Sequence, residues 1–99
     1  MQCVNRLHIS GVLLQVDPLR YSPAGVPIAE AVLQHRSSQD IAGQARQMEC
    51  ELTVQASGPL ASQLAHMPNG TEVKVEGALN RRSVNSRQLI LIVNRIEKE

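Results

Sequence analysis

The sequence contains no phenylalanine and no tryptophan, and Tyr21 is its single aromatic residue. With 42% of its 99 residues hydrophobic, the chain sits near the globular norm, so its core has to be aliphatic. Only two cysteines occur, Cys3 and Cys50, too few and too far apart for a disulfide framework. The N-terminus also lacks a charged start followed by an apolar run, so a reducing cytoplasm is the expected setting. No apolar stretch approaches membrane-spanning length. A charge excess is lacking too: ten Lys and Arg against nine Asp and Glu leave a formal net charge of +1. A polyanion site must therefore be a local group of arginines on a mixed surface.

Chemistry-bearing motifs are equally scarce. His8, His35 and His66 show no close pairing with one another or with the cysteines, so neither a metal nor a cofactor is expected. Gly25 and Gly43 stand alone rather than in a phosphate cradle, and hydrolase and dinucleotide signatures are absent. Cys50 falls on the apolar phase of its segment, where a small buried thiol is expected rather than a nucleophile. The chain is read as non-enzymatic, and as one domain over residues 1–99.

What is present is alternation. Leu7, Ile9, Gly11 and Leu13 alternate with Arg6, His8 and Ser10, the two-residue period of a half-buried strand. The phase then slips to Leu14 and Val16, and Gly11 is placed to absorb the slip. Asp17-Pro18 and Ser22-Pro23-Ala24-Gly25 carry turn chemistry. A second run, Ile28 to Arg36, is partly apolar on both faces, and the polar segment Ser37 to Gln44 reads as a loop. In the third run Met48, Cys50, Leu52, Val54 and Ala56 point one way and Gln47, Glu49, Glu51, Thr53 and Gln55 the other. Ser57-Gly58-Pro59 then opens a short helix, with Ser57 as cap and Leu60, Leu64 and Met67 as its stripe, ended by Pro68-Asn69-Gly70. Val73, Val75, Gly77 and Leu79 make a fourth strand. After a basic loop from Asn80 to Arg87, Leu89 to Val93 is apolar on both phases, which fits burial within its own barrel or a subunit contact. Five strands with one short helix between the third and the fourth is the order of an all-β, five-stranded OB-fold Greek-key barrel.

Several strings, in order along nearly the whole chain, resemble the primosomal replication protein N family: NRLHISG at Asn5 to Gly11, PLRYSPAGVP at Pro18 to Pro27, VLQHRS at Val32 to Ser37, Arg46-Gln47, and VKVEGAL at Val73 to Leu79. The resemblance implies a homodimer that binds single-stranded DNA without reading its sequence. It also implies contacts with the primosome's helicase and a loader protein in replication restart, and no catalysis. Arg36 matches a basic residue of the family's DNA face, and Arg81, Arg82 and Arg87 fall in the loop where members carry DNA-binding lysines. Arg20 stands behind these four.

One departure changes the expected strength. The family carries aromatic residues near Gln44 and at Glu49, and stacking is worth about 1–3 kcal/mol per base. With an amide and a carboxylate there, DNA binding should be weak, salt-sensitive and carried by arginines. Three neutralised phosphates correspond to a log–log salt slope near −2, at roughly −0.7 each. A solvated hairpin loop explains Asn80 to Arg87 equally well on composition alone, and Tyr21 reads as a base platform, as an anchor for a partner or as a residue packed on the barrel rim. A protein-interaction adaptor of the primosome with little direct DNA contact is the alternative function, favoured by Glu49 and Glu51. An RNA-binding OB domain is the remaining one.

Overall fold

The alternating segments all become strand, and the pairing between them rolls the sheet closed. The computed structural model describes residues 2–99, with β1 Leu7–Val16, β2 Arg20–Tyr21, β3 Pro27–Ile41, β4 Gln44–Ser57, α1 Pro59–Ala65, β5 Glu72–Arg81 and β6 Leu89–Lys98. The first half of β1 pairs antiparallel with β5 and the second half with β3, so the order β1-β5-β6-β4-β3 returns to β1. The β4–β6 seam is parallel, at Val54–Leu91 and Gln55–Ile92. This is the expected five-stranded OB barrel, with α1 between its third and fourth strands. The two-residue β2 pairs Arg20 with Ile28 and Tyr21 with Pro27, inside a segment whose sequence signalled only turns.

Leu13, Leu33, Val54, Leu64, Val73, Val75 and Leu91 are fully buried, so the core is aliphatic throughout. Closure needs two close backbone approaches. A Cβ on Gly11 would collide with the Gln34 carbonyl, and one on Gly77 with the Ile92 carbonyl. Gly77 adjoins the register shift that bends β5 against β6. In β1 the bulge falls between Leu13 and Gln15 rather than at Gly11. Gly11 instead lies where β1 passes from β5 to β3.

Pro59 occupies the start of α1 as expected, but the cap is Gly58, at φ 67° and without a side-chain bond. Ser57 cannot serve, because it is still paired with Ile28 in the β3–β4 ladder. Ala61 and Leu64 bury the inner face of α1 in the core, and Met67, just past its end, is buried with them. In β6, Leu91 and Val93 join that core, and Ile90 is buried on the other phase while Leu89 is exposed. Burial within the chain itself thus covers much of the strand's double apolarity.

The largest departure from expectation lies at Ser37 to Gln44, read as a loop. Here β3 and β4 pair without a break from Ile28–Ser57 out to Ile41–Gln44. Ala42 and Gly43, at φ 53° and 81°, form the positive-φ pair that a two-residue hairpin turn requires. Residues 38–47 are exposed on both faces, so no apolar alternation exists to mark them as strand. Cys50 is corrected for the same reason: it is exposed, because its phase reaches the core only further along, at Val54 and Ala56.

Candidate nucleic-acid interface

One face of the β3–β4 ribbon carries the chemistry. Directly paired residues share a face, so Glu30–Gln55, Val32–Thr53, Gln34–Glu51 and Arg36–Glu49 form one column on the side opposite Ala29, Ala31 and Leu33. At the inner end of this column Glu30 is only 8% exposed. Arg82, from the β5–β6 loop, roofs it with a fork: Nη2 donates to Oε1 at 3.1 Å and Nη1 to Oε2 at 3.3 Å. Arg20 Nη2 and Gln55 Nε2 each donate to Oε2 at 2.9 Å. Burial by itself raises the Glu30 pKa. The Gln55 amide and the Arg82 fork, with the charge of Arg20, outweigh that and hold the carboxyl below its ordinary value.

Two of the five sequence-predicted arginines, Arg20 and Arg82, therefore converge on one carboxylate, and the other three lie apart from it. Arg82 has all its nitrogens engaged, since Nε also donates to Gln88 Oε1 at 3.3 Å, and its backbone N–H donates to the Gln88 carbonyl at 3.0 Å. Arg20 spends one nitrogen on Glu30 and is otherwise 56% exposed. Arg81 Nη1 caps the Val84 carbonyl within the same loop at 2.8 Å. Arg87 is exposed. Arg36 meets Glu49 at 3.4 Å with both partners open to solvent; such a pair contributes about 0–1 kcal/mol, so Arg36 can leave it readily. Its position, six residues along β3 from Glu30, is about 20 Å away.

Tyr21, next to Arg20, is 65% exposed, which leaves most of its ring open to a base or a partner. Glu49 and Glu51 are exposed on the same column as Arg36, so this face is mixed in sign. The residue that the sequence reading passed over is Glu30, together with its partner Gln55. A carboxylate set between Ala29 and Ala31 in a strand is the signal that could have marked it, since a buried carboxylate needs a cation beside it. Arg46, exposed on the outer arm, was likewise not singled out as a site.

Comparisons with known proteins agree with this architecture. Residues 5–95 match a family described as another single-strand binding protein family. The chain is 39% identical over 98 residues to the replication restart protein PriB of Photorhabdus laumondii, covering 94% of this chain and 91% of that one. It is 40% identical over 76 residues to PriB of Bordetella pertussis, covering 77% and 71%. The solved structure of PriB from Ralstonia solanacearum superimposes with a TM-score of 0.90 at 30% identity, over 98% of this chain and 99% of that one. The single-stranded DNA binding protein of Thermus aquaticus, at 21% identity and a TM-score of 0.78 over 97% of this chain and 50% of that one, shares the fold.

Proposed function

This chain belongs to the single-strand binding family that includes the replication restart protein PriB, and on that premise we propose that it is a non-enzymatic accessory of replication restart that binds single-stranded DNA weakly through arginines. The observation that carries the reading is that the matched span, residues 5–95, holds β1 to β5, the β3–β4 ribbon, the β5–β6 loop and β6 as far as Arg95. Arg36, Arg81 and Arg87 are the proposed direct phosphate contacts, because each has a guanidinium in solvent or held only by a weak exposed partner. Arg20 contributes its remaining donors. Arg82 takes part once its fork is released. Exposed Tyr21 offers one ring to a base.

The protein is proposed to act in the cytoplasm as a single OB domain, paired with a second copy and touching the primosome's helicase and loader. Support for pairing comes from β1, where Leu7 to Ile9 are paired with β5 alone, leaving a short edge that a second chain can extend. Sedimentation at micromolar concentration reads the dimer directly.

The deciding experiment is a fluorescence-anisotropy titration of a labelled oligothymidine at two salt levels. Wild type should bind with a log–log slope near −2, at roughly −0.7 per phosphate, and Arg36, Arg81 and Arg87 changed together to Ala should flatten the curve. Unchanged affinity in the triple variant rejects this assignment. Because Tyr21 is the only aromatic residue, its emission reports on that position alone, and quenching by DNA is the expected sign of base contact. The adaptor reading is favoured by Glu49 and Glu51 beside Arg36, which repel phosphates. It takes over if wild type leaves the oligonucleotide unbound at the lower salt but retains the helicase on a column.

A further inference from the structure

We propose that Glu30 is a built-in rival of nucleic-acid phosphate, occupying the guanidinium groups of Arg20 and Arg82 so that this part of the surface must open before both arginines can engage a DNA backbone. The inference rests on the single-stranded-DNA reading above and deepens it, because it assigns the weakness of binding to a particular contact.

Geometry carries the argument. A carboxylate and a phosphate present the same paired oxygens to an arginine fork, and Arg82 already holds both oxygens of Glu30, with Gln88 on its third nitrogen. Three of the five N–H donors of Arg82 are thus committed, and the second N–H left on each Nη cannot offer a phosphate the paired fork. Arg82 is also the residue whose backbone closes the loop onto Gln88, so swinging its side chain to DNA disturbs the base of the β5–β6 loop. Leaving Glu30 behind is costly as well, since a buried carboxylate stripped of its fork retains only Arg20 and Gln55. Charge counting points the same way: two guanidiniums and one carboxylate leave the cluster at net +1, and neutralising the carboxylate doubles it. An arginine-poor site with one of its forks already filled binds phosphate less tightly than its sequence implies. Glu30 here is a positioning residue, acting through Arg20 and Arg82 rather than by touching DNA.

Glu30→Gln keeps the volume and removes the charge. In the oligothymidine titration it should bind roughly tenfold more tightly at low salt, with a slope steeper by about 0.7 for each phosphate gained. Adding Arg82→Ala to that variant should erase the gain. Arg82→Ala should cost wild type less affinity than it costs Glu30→Gln, since in wild type that fork is engaged elsewhere. If Glu30→Gln proves unfolded by circular dichroism, Glu30→Asp, whose shorter carboxylate loosens both ion pairs, takes its place in the comparison. Equal or weaker binding by folded Glu30→Gln, or a loss from Arg82→Ala as large in wild type as in that variant, overturns the rivalry while the DNA-binding reading stands. Failure of both wild type and Glu30→Gln to bind at the lowest salt overturns the two together.

Discussion

The two halves of the β3–β4 hairpin obey different rules. From Ile28 to Gln34, and from Glu51 back to Ser57, the ribbon has one face against the core, where Ala29, Ala31, Leu33, Val54 and Ala56 are buried. From Ser38 and Gln47 outward the same ladder continues with both faces in solvent. Hydrogen-bond register is shared along the whole ribbon, but stability belongs to the inner half, because burial of apolar surface is what offsets the entropy of ordering the chain. The outer half is held by its ladder, by the turn at Ala42-Gly43 and by His35, whose Nδ1 donates to the Ser10 carbonyl at 2.7 Å where β3 parts from β1.

The sharpest test of this contrast is Leu33→Ala. Leu33 is fully buried, so its truncation should cost about 2–5 kcal/mol, read as a lower urea midpoint. Next comes acid. The folded pKa of Glu30 is depressed, so its contribution to stability is fully present above the unfolded glutamate pKa of about 4.3 and is lost as pH falls through the lower folded value. Wild type should therefore lose more stability than Glu30→Gln between neutral pH and the acid side of that window, in paired denaturant titrations. At the tip of the arm, Ala42 holds a positive φ of 53°, a strain on the order of 1 kcal/mol for a residue with a Cβ. Ala42→Gly should recover up to about that much if the outer turn is coupled to global unfolding, and nothing measurable if the arm opens by itself. The smallest effect belongs to Cys50→Ser, expected within about 0.5 kcal/mol because the side chain is exposed. Both native thiols should also react with a thiol reagent without prior unfolding.

Legibility follows the same boundary. Inner strands announced themselves, since a core on one side and water on the other imposes alternation, and the aliphatic core followed from the missing aromatics. Pro59 placed the start of α1, but the helix ends at Ala65, two residues short of the Met67 in its expected stripe, and its cap was misread because the ladder had already claimed Ser57. The outer arm was illegible: residues 38–47 meet water on every side, and no pattern distinguishes a solvated strand from a loop. Cys50 was misread because alternation continues past the end of the core that normally gives it meaning. Among the arginines, sequence marked a basic loop but not what the loop folds against.

By itself the amino-acid order determined an aliphatic five-stranded barrel with one short helix, a surface poor in net charge, and a cation set of eight arginines and two lysines. Those properties are local, set by side-chain size, polarity and spacing along each strand. Only the closed barrel decided that Arg20 and Arg82, 62 positions apart by their numbers, meet on Glu30 while Arg36 and Arg87 keep open surroundings. Such a meeting depends on which strands become neighbours when the sheet rolls up, and hydrophobic periodicity carries no information about which charge will lie across from which.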